Sequence, residues 1–431
     1  MRQYRSYLYF IVALIPVLGL QVTVASTEIA FQLSTAEKYE LTQMVYTDGF
    51  DSIPANPNVY ETVQTYSDFD LNQVAGTISP NERFTIINQV VNHQNQVVFQ
   101  LSDQTYILAD TSLVYDDQII TSQAVDATYW TKDNFTVWSS PIGNQAKKIS
   151  TKLSAYQSIS ISEIAETQAG IFAKVGENQW ISLDDLSETD NRIDAVQEML
   201  EKKYNKSNIS IFVKQLSTDR TAGVNQSTMM YAASVTKLPV LYYTQQLIDE
   251  GQYALTDNLK YTKETNEFTG SYDPSGSGSI VKTADNKNYT VGTLIDKVAK
   301  ESDNAASNIL AYYVTNQFDE SYYDAITAIT GTKWDMKTRQ ASAEMAGLMM
   351  EAIYKQDGGI IDSLSSTNFD NQRISRDIDV QVAHKIGDAY DYRHDVAIVY
   401  AEDPFILSVF TNESTYDTIS QIANDVYEIL K

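Results

Sequence analysis

The stretch Tyr231–Val240, with the sequence YAASVTKLPV, decides the interpretation of this chain because it places a serine three residues before a lysine. On a helix, positions i and i+3 share one face, so we expect the Lys237 amine beside the Ser234 hydroxyl, where it can take the hydroxyl proton. Pro239 fits only in a first helical turn, so the helix is expected to begin near Ser234. The apolar run Leu238–Leu247 predicts that this helix is buried. A serine at the positive end of a buried helix favours an alkoxide and an oxyanion.

A second motif, Ser302-Asp303-Asn304, lies between two apolar runs with helical spacing, Val291–Val298 and Ala306–Val314. A serine and an amide at positions i and i+2 of a tight connection can face one cavity. Ser302 is then placed to relay a proton to a leaving group, and Asn304 to hold a substrate amide.

A third motif, His384–Asp388 (HKIGD), precedes two strand-like apolar runs. On a strand, Lys385 points to one side and supplies positive charge for a substrate carboxylate. Gly387 removes a side chain where a substrate backbone can lie against the strand edge. Each motif also has an ordinary interpretation, because Ser279–Lys282 repeats the serine–lysine spacing and Lys174–Gly176 the lysine–glycine spacing. The prediction of one shared site therefore depends on the order and context of all three motifs, and not on any single spacing.

With these motifs in this order, residues 190–431 resemble the class A β-lactamase-like branch of the penicillin-recognising serine hydrolases. Tyr289–Leu294 and Tyr392–Val399 resemble two flanking segments of that family. The resemblance implies an α+β fold with an antiparallel sheet and a helical subdomain, acting on β-lactams or peptidoglycan peptides. It assigns the following roles: Ser234 the acylated nucleophile, Lys237 its activating partner, Ser302 the proton relay, Asn304 a substrate-amide contact, Lys385 the carboxylate anchor, with the oxyanion between the backbone N–H groups of Ser234 and Asp388.

Two departures from the family pattern change the expected chemistry. Ile386 stands where the third motif normally carries a hydroxyl residue, which removes a hydrogen bond to a substrate carboxylate worth about 1.5–3 kcal/mol. The water-activating glutamate of class A β-lactamases has no match between Asn316 and Gln340, where Trp334–Lys337 is a short replacement, and Glu344 lies on a helix-like run. We therefore expect acylation with slow deacylation. The alternative is a non-catalytic, wall-binding scaffold or regulator that retains the fold.

Composition excludes several other functions. A net charge of −25 argues against a nucleic-acid partner, because a phosphate backbone needs a basic face. The absence of cysteine removes thiolate chemistry, and no histidine–carboxylate spacing indicates a metal, so we expect neither metal nor cofactor. A Ser–His–Asp triad through His93, His384 or His394 is less favoured than the lysine mechanism. The glycine- and serine-rich stretch Asp273–Ser279 does not match a phosphate loop and predicts a mobile loop near the site.

The first 25 residues have the order of a secretory signal. Arg2 and Arg5 precede an uncharged run, Ser6–Ala25, with an apolar centre. The length leaves both a cleaved signal peptide and a retained membrane anchor open, and either places the rest of the chain outside the cell. We expect an exported protein at the outer face of the membrane or in the cell wall, with a spacer over residues 26–57.

Residues 58–120 and 127–187 are predicted to form two small all-β modules, because short alternating apolar runs recur there. Tyr106–Asp110 and Trp180–Asp184 match at an offset of 74 residues, which indicates an internal repeat. The repeat resembles the GW-type, Src-homology-3-like modules of bacterial surface proteins. That resemblance implies a cell-wall polymer as partner, and plain spacers are the alternative.

From residue 190 onward, the pattern predicts an α+β domain with helices clustered in its middle. A first helix is expected to begin at Asp190 as N-cap, followed by a strand over Ser210–Lys214. Two late strands, Val396–Tyr400 and Phe405–Phe410, precede a closing helix over residues 416–430.

Overall fold

The computed structural model describes residues 50–431. The predicted export segment and most of the spacer therefore lie outside the described residues. The chain divides into two compact units, the first ending at Asp117 and the second running from Gln118 to Lys431. Within the described residues, every helix is too short or too polar to cross a lipid bilayer.

The described part of the first unit is a small β structure. Its strands are β1 (Pro57–Val59), β2 (Val63–Tyr66), β3 (Val74–Ile78), β4 (Ile86–Val91), β5 (Val97–Leu101), β6 (Tyr106–Leu108) and β7 (Val114–Asp116). Five of them form an antiparallel sheet in the order β3-β2-β6-β5-β4, and β1 pairs with β7. Its core includes Phe99, Leu101 and Ile107, which come from the alternating runs that predicted strands here.

The second unit begins with a six-stranded sheet. Its strands are β8 (Ile119–Thr131), β9 (Val137–Trp138), β10 (Ser158–Thr167), β11 (Gly170–Gly176), β12 (Gln179–Ser182) and β13 (Leu186–Ser187). They are ordered β13-β8-β10-β11-β12-β9, which differs from the order in the first unit. This sheet belongs to the same compact unit as the C-terminal domain, whereas the sequence analysis treated residues 127–187 as a module of their own. The resemblance to GW-type modules stays a prediction.

The C-terminal domain contains the following elements: α1 (Arg192–Tyr204), β14 (Ile209–Gln215), β15 (Thr221–Val224), β16 (Met230–Tyr231), α2 (Lys237–Asp249), β17 (Asn258–Lys260), β18 (Asn288–Thr290), α3 (Val291–Glu301), α4 (Asn304–Tyr313), α5 (Glu320–Thr330), β19 (Gln340–Ala341), α6 (Ala343–Gln356), α7 (Gly359–Leu364), β20 (Val382–Ala389), β21 (Tyr392–Val399), β22 (Phe405–Asn412) and α8 (Tyr416–Leu430). Five strands form an antiparallel sheet ordered β15-β14-β22-β21-β20, and β16–β19 and β17–β18 are short ribbons. This confirms the predicted α+β class.

The three central strands of this sheet, β14, β22 and β21, are almost continuously buried because both faces of the sheet are covered. One face packs against α1 and α8, and the other against the helices between α2 and α7. Strand β20 is at the edge of the sheet, so one side of it is free of a strand partner.

Two local predictions need correction. The first helix begins at Arg192 with Asn191 as its N-cap. Asp190 precedes the cap, and its carboxylate accepts from the Arg192 backbone N–H at 2.9 Å and from the Arg192 guanidinium, with 2.7 Å between Nη2 and Oδ2. Ser234 lies in a 3₁₀ turn, Ala233–Thr236, that leads into α2, so the α-helix begins three residues later than expected. Pro239 is in the first turn of α2, as its missing N–H requires.

Candidate active site

Ser234 is held on a strained turn between β16 and α2. Ala233, the residue before it, has a φ of 49°, in the left-handed region that costs a non-glycine residue about 1–3 kcal/mol. The turn is closed by a hydrogen bond from the Val235 N–H to the Ala232 carbonyl, at 3.0 Å. Ser234 remains partly exposed while its neighbours are buried. The strained backbone at Ala233 therefore lies next to the partly exposed Ser234 hydroxyl, which is held by a hydrogen-bonded turn.

Lys237 is completely buried, yet its amine has four polar neighbours. Its Nζ lies 3.0 Å from the Ser234 Oγ and 3.3 Å from the Ser302 Oγ. It is also 2.6 Å from the Ser302 carbonyl oxygen and 2.7 Å from the Asn304 Oδ1. Burial, with a further contribution from the positive charge of Lys385, holds the pKa of Lys237 well below its ordinary value. The amine is thus disposed to be neutral.

The backbone of the second motif explains how Ser302 and Asn304 reach this amine. Ser302 ends α3 with a φ of 55°, and Asp303 begins α4 by accepting a hydrogen bond from the Ala306 N–H at 2.9 Å. The Asp303 carboxylate also accepts from the Ile280 N–H at 2.8 Å. Two helices therefore meet at a sharp connection, which points the serine and the amide into one cleft.

Lys385 reaches the same cleft from the edge strand β20. Its buried Nζ donates to the Ser302 Oγ at 2.8 Å and to the Ile386 carbonyl at 3.0 Å. Burial lowers the pKa of Lys385 to about 7, against the opposing effect of the Asp395 carboxylate. The Ser302 hydroxyl therefore lies between two amines.

Gly387 has a packing role that the sequence analysis did not predict. A β-carbon at this position would lie 2.7 Å from the Ala232 carbonyl oxygen and 2.9 Å from the Val235 Cγ2. Only glycine lets β20 approach the turn that carries Ser234 this closely. The close approach brings the edge strand and the nucleophile together.

Asp388, at the exposed end of β20, is paired with two arginines. Its Oδ2 is bound by the Nη2 of Arg373, and its Oδ1 lies 3.6 Å from the Nε of Arg393. The role predicted for its backbone N–H in oxyanion binding stays a prediction.

The five side chains of the three motifs thus converge through direct contacts. Ser234, Lys237, Ser302, Asn304 and Lys385 form one connected set of hydrogen bonds. They come from three segments that are distant in sequence, the Ser234 turn with α2, the connection between α3 and α4, and strand β20. In the described residues, no group of histidine, cysteine and acidic side chains is arranged to hold a metal ion.

Sequence reasoning missed two residues beside the nucleophile, Tyr272 and Arg339. The Tyr272 hydroxyl donates to the Ala233 carbonyl at 3.2 Å, and its ring lies 4.5 Å from the Lys237 Nζ. The guanidinium carbon of Arg339 lies 3.9 Å from the centroid of the same ring, and the guanidinium donates to the Gly270 and Ser271 carbonyls. Burial raises the pKa of Tyr272 to about 12. Neither residue belongs to a short motif, so only long-range packing reveals it.

The glycine- and serine-rich stretch Asp273–Ser279 is attached to the second motif. The Asn304 Nδ2 donates to the Asp273 carbonyl at 2.8 Å, and the Asn304 N–H donates to the Ser277 carbonyl at 3.0 Å. Gly278 has a φ of 105°, and a β-carbon there would overlap the Asp303 side chain. The stretch lies at the site, as expected, and these bonds hold it there.

The histidines are bound elsewhere. The two nitrogens of His384 face the Asp395 and Asp370 carboxylates at 3.0 and 3.1 Å. His394 accepts from the Thr411 N–H at its Nδ1, so its Nε2 carries the proton toward the Tyr231 carbonyl. His93 contacts Asp70 in the first unit. Among the described residues, the hydroxyl of Ser234 is hydrogen bonded to an amine and not to an imidazole.

The replacement for the glutamate-bearing loop also contains no obvious base. Glu344 accepts a hydrogen bond from the Ser227 hydroxyl at 2.7 Å, and Asp335 accepts from the Lys337 N–H. Among residues 50–431, no carboxylate is hydrogen bonded to Ser234 or Lys237. The loop instead places the Arg339 cation near the nucleophile, and a cation does not take a proton from water.

A family model described as the beta-lactamase enzyme family matches residues 190–430. Among solved structures, the chain is similar to a β-lactamase from Sphaerobacter thermophilus, with 18% identity and a TM-score of 0.45 over 55% of this chain and 95% of that one. It is also similar to PBP-A, with 17% identity and a TM-score of 0.45 over 56% and 96% of the two chains. An ancestral (GNCA) class A β-lactamase gives 16% identity and a TM-score of 0.46 over 54% and 99%. The search of curated proteins finds no match.

Proposed function

The chain belongs to the beta-lactamase enzyme family, and we propose that its C-terminal domain is a serine acyl-transfer enzyme that acts on β-lactams or peptidoglycan peptides. Ser234 is the nucleophile, and Lys237 is the base that activates it. The observation that carries this proposal is the set of partners around the Lys237 amine.

A neutral amine has two hydrogens and one lone pair. The Ser302 carbonyl at 2.6 Å and the Asn304 Oδ1 at 2.7 Å can only accept hydrogen bonds, so they use both hydrogens. The lone pair is then left for the Ser234 hydroxyl at 3.0 Å. This arrangement orients the serine proton toward the amine before any substrate arrives, which supports Lys237 as general base.

Acylation then proceeds with a balanced transfer of one proton. The Ser234 Oγ forms a bond to the substrate carbonyl carbon and gives its proton to the Lys237 Nζ. The carbon–nitrogen bond breaks as the leaving nitrogen takes a proton from the Ser302 hydroxyl. The Lys237 ammonium, 3.3 Å from the Ser302 Oγ, returns the proton to that hydroxyl.

Asn304 can contact a substrate amide only with the hydrogen-bonding groups that its protein partners leave unused. Its Oδ1 accepts from Lys237 and its Nδ2 donates to the Asp273 carbonyl, which leaves one hydrogen and one lone pair for a substrate. Lys385 supplies positive charge beside Ser302, and Gly387 and the Asp388 backbone form the edge along which the substrate lies.

We propose that hydrolysis of the acyl-enzyme is slow. General-base assistance contributes about 10²–10⁴-fold to such a step, and the hydrogen-bonded surroundings of Ser234 contain no carboxylate to provide it. The acyl-enzyme is therefore expected to accumulate, which is the behaviour of a penicillin-binding protein more than of an efficient β-lactamase.

The test is covalent labelling by a fluorescent penicillin. We expect a stable adduct on the native chain and none on Ser234→Ala, with a chromogenic cephalosporin turned over only slowly. Rapid turnover of the cephalosporin would contradict the slow second step. Absence of any adduct on the native chain would contradict the acyl-transfer function and favour the second reading, a non-catalytic scaffold or regulator with a retained fold. Ile386 and the missing base are the observations that favour this alternative.

We further propose that the protein is exported and that its N-terminal region binds a cell-wall polymer. The first unit has a cavity of about 500 Å³ whose lining includes Gln64, Tyr66 and Gln96 together with the acidic residues Glu61 and Asp70. Amides and an aromatic ring suit a neutral glycan, and the two carboxylates disfavour an anionic polymer. Sedimentation of the chain with purified peptidoglycan, compared with anionic wall polymer, tests this. Binding to neither would contradict it.

A further inference from the structure

Arg339 is a cation near the nucleophile that has no acidic partner. The second unit contains six arginines, and five of them pair with a carboxylate: Arg192, Arg220, Arg373, Arg376 and Arg393. Among residues 50–431, the side chain of Arg339 is hydrogen bonded only to two carbonyls and one hydroxyl. The acid nearest to it in sequence, Asp335, instead accepts from the Lys337 N–H at 2.8 Å. In a chain with a net charge of −25, this cation is open to a counter-charge on a ligand.

Neutral groups fix the position of the Arg339 guanidinium. Its Nη2 donates to the Gly270 and Ser271 carbonyls at 3.0 and 2.8 Å. Its carbon lies 3.9 Å from the centroid of the Tyr272 ring, which also lies beside the reactive amine. The backbone carbonyl of Arg339 accepts from the Ala232 N–H at 2.8 Å, two residues before the nucleophile. The residue is therefore attached to the site through both its backbone and its side chain, and none of these contacts neutralises its charge.

Two hydrogen-bond donors beside this charge remain for a ligand. The Nη1 of Arg339 has two hydrogens, and its one hydrogen bond within residues 50–431 is a long one, 3.4 Å, to the Tyr231 hydroxyl. That hydroxyl accepts this bond and donates to no group in the same described range. Both residues are partly exposed, so a ligand can reach them. An arginine N–H and a hydroxyl this close together can both donate to one carboxylate through charge-assisted hydrogen bonds.

The neighbours of Arg339 assign this pair of donors to the acyl part of the substrate. In the proposed reaction the leaving nitrogen meets Ser302, which is bound by Lys385, and a second substrate amide meets Asn304. The Asn304 Nδ2 donates to the Asp273 carbonyl at 2.8 Å, and the carbonyls that hold Arg339 come just before it in the same loop. A carboxylate on the leaving part therefore meets Lys385, and a carboxylate on the acyl part meets Arg339.

We propose that Arg339 and the Tyr231 hydroxyl form an anion subsite, which makes the enzyme prefer acyl donors with a carboxylate on the acyl side of the scissile bond, such as peptides with an acidic residue there. This inference rests on the proposed acyl-transfer function and narrows its substrate class. Arg339 is a specificity-determining residue in it, because the guanidinium binds the substrate and takes no part in the proton transfers.

The test compares penicillin G with carbenicillin, which is the same molecule with one additional carboxylate on the side chain of its acyl part. Intact-mass kinetics give the rate constant for acylation of Ser234 by each probe, and hydrolysis by hydroxide corrects for the intrinsic reactivity of each probe. The native chain should react faster with carbenicillin. Arg339→Gln should lower the ratio of the two rate constants at least about tenfold, because a charge-assisted hydrogen bond to carbenicillin is lost. The rate with penicillin G should change much less.

Two further variants separate the charge from the packing of this side chain. Arg339→Lys keeps the charge and should keep most of the preference. Tyr231→Phe removes only the hydroxyl and should lower the ratio by a smaller factor than Arg339→Gln. Added salt should reduce the ratio in the native chain and leave it unchanged in Arg339→Gln, because salt screens the attraction of a cation that only the native chain has there.

Arg220→Gln is the matched control, since that arginine pairs with Asp194 on α1 and should leave the ratio unchanged when replaced. Circular dichroism checks that each variant is folded. If folded Arg339→Gln retains the native ratio, or loses the same factor with both probes, the anion subsite is overturned while the acyl-transfer function stands. If neither probe acylates Ser234 in the native chain, the acyl-transfer function fails and the inference fails with it.

Discussion

Strand β20 contributes neighbouring residues, His384 and Lys385, to two buried polar clusters. The pKa of one is raised and the pKa of the other is lowered. Both side chains are about 1% exposed or less. Although burial lowers it, the carboxylates of Asp395 and Asp370 raise the pKa of His384 to about 9. Burial lowers the pKa of Lys385 to about 7, and burial together with the charge of Lys385 holds the pKa of Lys237 well below its ordinary value.

The difference comes from the partners. His384 is hydrogen bonded to two carboxylates, whereas the hydrogen-bond partners of Lys385 and Lys237 are hydroxyl, carbonyl and amide oxygens. A buried cation that is hydrogen bonded to counter-charges stabilises the fold. A buried amine with no carboxylate among its hydrogen-bond partners loses its proton more easily, so it can act as a base. Burial alone does not distinguish a structural cluster from a reactive one.

The largest effect is expected on the rate of acylation, from a substitution in the cluster that contains Lys237 and Lys385. Lys237→Met keeps the length of the side chain but removes its lone pair, so the rate of acylation of Ser234 by penicillin should fall by about 10²–10⁴-fold. Stopped-flow or intact-mass kinetics measure it. The control is Lys203→Met on α1, whose amine pairs with Asp425 and is half exposed. An unchanged rate in Lys237→Met would remove the lysine from the mechanism.

Substitutions in the His384 cluster should lower the free energy of unfolding. Asp395→Asn leaves the buried His384 with one carboxylate partner instead of two, and breaking a buried ion pair costs about 3–5 kcal/mol. Urea denaturation measures the free energy of unfolding. The control Glu267→Gln removes an exposed pair with Lys263 and should change little. A loss for Asp395→Asn no larger than in the control would show that His384 is not a cation in the folded state.

The pH dependence of stability should have a maximum near pH 6.5. His384 is protonated more easily in the folded state, so its contribution of roughly 3 kcal/mol is full below pH 6.5 and is lost as the pH rises toward 9. Burial lowers the pKa of His394 to about 4, so its contribution is full above pH 6.5 and is lost as the pH falls toward 4. His384→Gln should flatten the alkaline limb and His394→Gln the acid limb. Limbs that persist in these variants would assign the effect to other groups.

The smallest effect is expected at Gly387, on the strand that carries both His384 and Lys385. Gly387→Ala places a β-carbon against the Ala232 carbonyl and Val235, and such overpacking costs about 1–3 kcal/mol. The turn of Ser234 should shift and acylation should slow. Gly359→Ala meets no atom within 4 Å and is the control. Equal melting temperatures for the two variants would refute the close approach.

The sequence predicted the reactive cluster because each of its members belongs to a short motif. The i, i+3 spacing of Ser234 and Lys237 and the turn at Ser302 are local features, and the family resemblance joined them. Pro239 also placed the beginning of α2 to within a few residues. The observed convergence supports these predictions, while the catalytic roles themselves stay predictions until labelling is measured.

The remaining parts could not be predicted because they depend on contacts between distant residues. Arg373 and Asp388 are 15 residues apart with a 3₁₀ turn between them, and no periodicity links them. Arg339 and Tyr272 meet only because the β16–β19 ribbon brings the loop before α6 to the nucleophile. The grouping of residues 118–187 with the C-terminal domain likewise depends on packing and not on composition.

The most direct test of the account is the titration of Lys237 by nuclear magnetic resonance, with selectively ¹³C-labelled lysine and Lys237→Met to assign the signal. We predict that the amine of Lys237 titrates well below the ordinary lysine value of 10.5, since burial and Lys385 disfavour its charge. A signal that titrates near 10.5 would contradict the claim, because the amine beside Ser234 would then be an ammonium with no lone pair to accept the proton of the nucleophile.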